Sequence, residues 1–182
     1  MGDYTGFMYD KNSQTFTQVT YPGSGTTYPT SINNAGTIAG YFTSSGVFSQ
    51  GFELVGSTYR RLPALNFANV YVWGIKGDGT LIGYAQRHGV YDFFFDQGKY
   101  HQLFPSNSAQ VWGVNRAGTA FVGPGYLYQN GTFQVLQFPG GGATYAYDVN
   151  NAGEVVGLFL DTSVNQQQHC FTWTPPTSAT TK

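Results

Sequence analysis

Trp73, Trp112 and Tyr147 each stand two residues before an aliphatic residue that opens a polar, glycine-closed tetrapeptide: Ile75 before KGDG, Val114 before NRAG and Val149 before NNAG. Two residues further upstream stand Tyr71, Gln110 and Tyr145, and a fourth copy has Tyr28 and Thr30 ahead of Ile32 and NNAG. Side chains two apart on a strand share a face, so every copy carries aromatic surface on one side of the strand that enters the tetrapeptide. Such rings can do two things. They can bury area against a neighbouring sheet. Left open, they can form platforms on which sugars and other flat or apolar ligands stack, with Asn and Gln amides supplying hydrogen bonds. The sequence leaves both readings open, and the candidate contacts are Trp73, Trp112, Tyr71, Tyr145 and Tyr147, with the Asp148 carboxylate beside them.

Acid–base or nucleophilic chemistry needs paired carboxylates, or a nucleophile held against its base. Asp148 falls on a strand, whereas Asp78 and Glu154 lie at or near turns, and Asp92, Asp96, His88 and His101 read as solvated turn residues of one unit or its approach. A small hydrolase or lyase centred on Asp148 is therefore a third reading, without a second acid near it in sequence to support it. His169 and Cys170 are neighbours on a strand and point to opposite faces, so they form no nucleophile–base pair, and the lone thiol is expected to be buried. Asn33, Asn115 and Asn150 recur at one position, with Lys76 in the fourth copy, and Asn there caps a tight turn through its own backbone. The lysine opposes a ring of cation ligands, so no metal and no cofactor are expected.

What positions these residues is a repeat. "INNAGTIAGYF" from Ile32, "IKGDGTLIGYA" from Ile75, "VNRAGTAFVGPG" from Val114 and "VNNAGEVVGLF" from Val149 share one pattern, and their turn glycines, Gly36, Gly79, Gly118 and Gly153, are spaced 43, 39 and 35 residues apart. Each tetrapeptide fits a type I turn followed by Gly in the left-handed region, which closes a hairpin. A second glycine follows at Gly40, Gly83, Gly157 and, one residue late, Gly123, so these sites are expected to admit a closely approaching strand, and Ala120 reads as an inserted residue forming a β-bulge. A second hairpin follows each first one, in "GFELVGSTYRRL", "DFFFDQGKYHQL" and "GYLYQNGTFQVL", and "GFMYDKNSQTFTQV" opens the chain with the same form. Four short antiparallel strands in about 40 residues is the size of a propeller blade.

These residues also carry a resemblance. The repeat is similar to that of the bacterial extracellular repeat proteins called the HAF family, whose units join a G-I-N-N-x-G-x-I-V-G-Y core to an H-A-F-L-Y strand. Ile32 to Tyr41 and Val149 to Gly157 match the first part and "HCFTW" from His169 the second, while Gln50-Gly51-Phe52 and Pro124-Gly125-Tyr126 depart from the name triplet. The resemblance spans nearly the whole chain. It implies a propeller-like module of an exported or surface protein and implies no catalytic residues.

Composition narrows the field further. The 182 residues carry a net charge of −1 with only 9% charged side chains, too few for the positive field that nucleic acid or an anionic membrane surface requires. No apolar run approaches the length of a membrane-spanning helix, and no segment keeps a 3.6-residue apolar period for more than a turn. Aromatics at 18% and 25 glycines instead describe aromatic strands punctuated by turns.

The expected architecture is therefore all-β, a β-propeller of four-stranded antiparallel blades in one domain over residues 1–174, with a disordered tail at 175–182. The strand count reads as seventeen against the sixteen of a closed four-bladed ring. The N-terminal hairpin would latch the last blade, leaving one strand to cap an edge or to pair with another molecule and make a homo-oligomer. An open array or a domain-swapped dimer is the rival. The expected function is a non-catalytic extracellular binding module for a glycan or other surface component, with a structural, self-associating scaffold as the alternative.

Overall fold

The structure is a computed structural model that describes residues 5–44, 48–64, 69–86, 90–103 and 110–175. It is all-β, with no helix and seventeen strands among the described residues. The chain forms two compact units, Met1–Gln110 and Val111–Lys182. The first contains a hairpin, β1 (Gly6–Asp10) and β2 (Thr15–Val19), and two four-stranded sheets: β3 (Thr26–Ile32), β4 (Ile38–Thr43), β5 (Gln50–Val55), β6 (Thr58–Arg61), then β7 (Asn69–Ile75), β8 (Leu81–Gln86), β9 (Val90–Asp96), β10 (Lys99–Gln102). The second contains a four-stranded sheet of β11 (Gly113–Val114), β12 (Ala120–Gly123), β13 (Tyr126–Gln129) and β14 (Thr132–Val135), and a three-stranded one of β15 (Gly141–Val149), β16 (Val155–Asp161) and β17 (Gln167–Trp173). Every sheet is antiparallel with strands in chain order, so the four sheets are up-and-down β-propeller blades, two in each unit.

The tetrapeptide turns form as their chemistry dictates. Gly36, Gly79, Gly118 and Gly153 all have φ between 69° and 92°, where any other residue would set its Cβ against the backbone. The Asn33 carboxamide oxygen accepts from Ala35 N and Thr37 N at 3.0 Å each, and Asn150 accepts from Ala152 N at 2.9 Å and Glu154 N at 3.0 Å. In the second blade, where Lys76 replaces Asn, the Asp78 carboxylate takes over by accepting from Thr80 N at 2.9 Å. The third copy absorbs its extra residue in this turn and not, as expected, as a bulge in the strand. Asn115 accepts from both Thr119 N (2.8 Å) and Ala120 N (3.0 Å), and its own N–H bonds Ala120 O, one residue later than in the other copies. A buried amide with two acceptor lone pairs can hold both donors, which is cheaper than breaking the ladder.

Bulges do occur, at one position in three of the four first strands. The ladders slip between Pro29 and Ser31, between Val72 and Gly74, and between Ala146 and Asp148, leaving Thr30, Trp73 and Tyr147 as extra residues. Opposite them sit the second glycines: a Cβ on Gly40, Gly83 or Gly157 would fall on the carbonyl oxygen of Tyr28, Tyr71 or Tyr145. The close approach expected of these glycines is thus made by the bulged partner strand.

Each unit has its own apolar interior. Phe52 and Phe93, both 0% exposed, anchor the first two blades, and a truncation of such a ring costs about 3–5 kcal/mol. Leu62 of the first blade packs with Val70, Val72 and Ile75 of the second, and Leu136 of the third packs with Ala146, Val149 and Val155 of the fourth. The hairpin repeats this contact: Val19 lies with Ile38, Phe42 and Phe52 of the first blade. It remains a two-stranded sheet, and the last blade has three strands, so the four-stranded last blade that the hairpin was to complete is not among the ladders of the described residues.

Cys170 is a correction. It is exposed, because on the edge strand β17 the alternation turns His169, Phe171 and Trp173 inward and the thiol outward. Of the expected tail, only Pro175 is described, and His88 also lies outside the described residues.

Candidate functional site

The candidate residues divide between the two units and take up different geometries. In the first, Tyr71 and Trp73 on β7 meet Tyr41 on β4, with ring centroids 5.0 Å apart at 83° and 5.7 Å apart at 57°. Tyr28 stacks on Tyr41 at 4.8 Å, and Tyr84 meets Tyr71 at 5.0 Å and 40°. Edge-on and tilted contacts fill space between sheets and leave no common plane. Burial pushes the Tyr41 phenol up to about 12, helped by the nearby phenols of Tyr28, Tyr71 and Tyr84. The Trp73 indole N–H is buried next to the Tyr84 hydroxyl, whose pKa burial raises and the indole partly offsets, and it has no partner in hydrogen-bond geometry among the described residues.

In the second unit the rings are flat. Trp112, just before β11, is stacked with Tyr145 at 5.8 Å and 15° and with Tyr147 at 5.5 Å and 17°. Three nearly parallel rings make a shelf, and Tyr147 is 46% exposed. The bulge explains its accessibility. On a regular strand Tyr147 and Asp148 would point to opposite faces, but the extra residue turns both outward between the buried Ala146 and Val149. One backbone irregularity therefore sets an aromatic ring and a carboxylate side by side.

Asp148 also lines a cleft of about 330 Å³ with Asn150, Glu154, Val156, Thr172 and Thr174. Although the residue as a whole is exposed, crowding at the cleft wall raises its pKa above the usual 3.8, partly offset by the hydrogen bond its Oδ1 accepts from Val149 N at 2.9 Å. Across the same turn the Asn150 amide donates to Glu154 Oε2 at 2.6 Å. The surface thus offers a stacking shelf, two carboxylates, an amide and two hydroxyls, a set suited to a ring bearing hydroxyl groups. Among the described residues no three His, Cys, Asp or Glu side chains gather as metal ligands.

The structure brings Trp112, Tyr145, Tyr147 and Asp148 together, and Tyr71 with Trp73 in a separate cluster. It also adds residues that the sequence reading passed over. Tyr41 and Tyr84 complete the first cluster through the register Tyr28↔Tyr41 and Tyr71↔Tyr84. Asp92 is no solvated turn residue: it lies 2% exposed in β9, paired with Tyr84 across the ladder, where burial above all, then the Tyr71 phenol and the Asp92 charge, raise the Tyr84 pKa. Its signal was available, since Asp92 precedes Phe93 as Gly51 precedes the buried Phe52. No family model matches the chain, and comparison with curated proteins returns no match.

Proposed function

We propose that this chain is a non-catalytic binding module that recognises a glycan, or another hydroxyl-bearing surface component, on the shelf formed by Trp112, Tyr145 and Tyr147, with Asp148 accepting hydrogen bonds from the ligand. One observation carries the reading: the Trp112 ring lies within 17° of parallel with each of the Tyr145 and Tyr147 rings, and Tyr147, half open to solvent, is set beside a carboxylate by the bulge. The face of a pyranose presents C–H groups to such a ring and its rim presents hydroxyls to the carboxylate. The resemblance to the HAF family supports a place outside the cell or on its surface. Tyr71 and Trp73 serve packing in this reading, because their rings meet Tyr41 edge-on and tilted.

A glycan array followed by titration calorimetry of the best ligand tests the proposal. Losing one stacked ring removes about 1.4 kcal/mol or more, so Tyr147→Ala and Trp112→Ala should each weaken binding at least about ten-fold, whereas Tyr71→Phe should not. Unchanged affinity in the two alanine variants, with their circular dichroism intact, sinks the reading. Turnover of the glycan by the wild type that disappears in Asp148→Asn would replace it with an enzyme.

A further inference from the structure

Three blades carry an aromatic ring at one position of the fourth strand. In the first, Tyr59 on β6 meets Phe52 on β5 at 5.7 Å and 52°. In the second, Tyr100 on β10 meets Phe93 on β9 at 4.9 Å and 89°, and in the third Phe133 on β14 meets Tyr126 on β13 at 5.5 Å and 63°. The ladders set these rings opposite Leu54, Phe95 and Tyr128, each five residues earlier in the chain. In the last blade Phe171 and Trp173 take the places of Phe52 and Leu54. Phe171 pairs with Gly157 as Phe52 pairs with Gly40, and Trp173 pairs with Val155 as Leu54 pairs with Ile38. Five residues after Trp173 the sequence has Ser178. The last blade therefore builds the wall for a ring and brings none from the position its copies use.

The rest of the wall is copied as closely. The links that lead into the first and last blades run in step: Tyr21 N donates to Thr27 Oγ1 at 2.9 Å and Phe138 N to Thr144 Oγ1 at 3.0 Å, and Gly23 and Gly140 both turn at a φ of 75°. The rings they hold are set alike. Tyr21 stacks on Phe42 at 3.8 Å and 4°, and Phe138 on Phe159 at 3.7 Å and 2°. In the first blade Tyr59 fits into this corner, 5.4 Å from Tyr21 at 74°. Burial raises the pKa of its phenol, and a hydrogen bond from the Thr20 backbone offsets part of the rise. Tyr100 fits likewise in the second blade, where its hydroxyl donates to Pro63 O at 2.9 Å. Thr20 and Pro63 follow the buried Val19 and Leu62 as Gln137 follows the buried Leu136.

In the last blade the same corner is a cavity of about 170 Å³, lined by Gln137, Phe138, Phe171 and Trp173 with Leu136 and Thr144. Its walls belong wholly to the second unit, as those around Tyr59 and Tyr100 belong wholly to the first. An apolar cavity of about 150 Å³ is enough to hold a benzene ring.

We propose that this cavity is a binding site for a small single-ring phenol. The ring enters against Phe138 and Phe171 as Tyr59 does against Tyr21 and Phe52, and the hydroxyl donates to the Gln137 carbonyl as Tyr100 donates to that of Pro63. The chain itself displays the outline of the ligand, since a tyrosine side chain cut at Cβ is p-cresol. A saturated ring of the same size lacks the positive edge and negative face that such tilted contacts use. The site shares no residue with the shelf of Trp112, Tyr145 and Tyr147, and it stands without the glycan reading.

NMR titration of the whole chain with p-cresol decides it. Saturable shifts should appear at Phe138, Phe171 and Trp173, and methylcyclohexanol should bind more weakly. Phe171→Leu should weaken the affinity about two- to twelve-fold, the worth of one aromatic pair, while Tyr147→Ala leaves it unchanged. Tyr59→Ala opens the matching corner in the first blade, so that variant should take up a second equivalent and regain thermal stability as p-cresol is added. A wild type without saturable binding overturns the proposal. Binding that Tyr147→Ala removes, the mark of stacking on the shelf, overturns it as well. So does a Tyr59→Ala chain, folded by circular dichroism, that takes up no second equivalent.

Discussion

Replacing Gly157 with Ala puts a methyl group in place of a hydrogen at a point where the backbone has left no room. The new Cβ would fall on the Tyr145 carbonyl oxygen and within 2.8 Å of the Phe171 ring. The ring could turn aside, but the carbonyl belongs to the bulged strand β15 and can move only if the bulge opens. Inserting a methyl group into such a site costs about 1–3 kcal/mol. Against this, any Gly→Ala change lowers the entropy of the unfolded chain and returns about 0.4–1 kcal/mol where the conformation permits. Gly77→Ala isolates that second effect, because nothing lies within 4 Å of its added Cβ and its φ is ordinary. The difference between the two variants should thus be about 1–3 kcal/mol, or roughly 2–12 °C in Tm at about 2–4 °C per kcal/mol for a chain of this size. Gly83→Ala, whose Cβ falls on Tyr71 O, should behave like Gly157→Ala. Differential scanning calorimetry of the three variants measures it directly. If Gly157→Ala and Gly83→Ala melt with Gly77→Ala, the glycines are not holding the bulges shut, and the account of how Tyr147 reaches the surface fails with them.

Asn115→Ala should cost about 2–4 kcal/mol, since two turn N–H groups lose their acceptor at a residue that is 2% exposed. Asn150→Ala removes an equivalent pair at an exposed turn where water can substitute, and should cost no more than about 1 kcal/mol; urea titration separates the two. Asp148 gives a pH test. Its folded pKa is raised, so ionisation opposes folding at neutral pH and the penalty disappears as pH falls below the unfolded value of 3.8. Asp148→Asn should therefore melt above the wild type at pH 7, with the gap closing in acid. A gap that widens in acid would show that the carboxylate is favoured in the fold.

The blades were legible because their code is local. Asn33 to Gly36 and its copies specify a turn by backbone chemistry alone, and the strands follow from aromatic alternation on either side. The strand count was legible for the same reason. The bulges were not, although their residues were singled out: nothing in Trp73 or Tyr147 announces an extra residue, which appears only when the partner strand is aligned and Ala146 and Asp148 meet Gly157 and Val156 as consecutive pairs. Ala120 shows the converse, an insertion visible in sequence whose placement depended on whether Asn115 or the ladder would absorb it. Asp92 and Cys170 were misread because burial is a property of the face a residue shares with the next blade, and that face is set by register. The pairing of the hairpin was open to the same ambiguity, since "GFMYD" reads equally well as a third strand of any blade.

A common geometry with different surroundings links these particulars. Thr30, Trp73 and Tyr147 stand at one bulge position, and in the leading blade of each unit the residue there reaches the next sheet: Thr30 donates to Val72 O, and Trp112, the corresponding residue of the third blade, stacks on Tyr145 and Tyr147, whereas Trp73 meets Tyr41 of the preceding blade. Thr30 spends that reach in joining blades, whereas Trp112 joins blades and lays its ring beside the open Tyr147. Tyr147 has the same backbone, points the same way and has 46% of its surface left over. A residue type suited to joining sheets is available to a ligand where part of its surface stays open. The proposed ligand contacts Tyr147 and Asp148 lie together on the last blade for that reason, set side by side by its bulge.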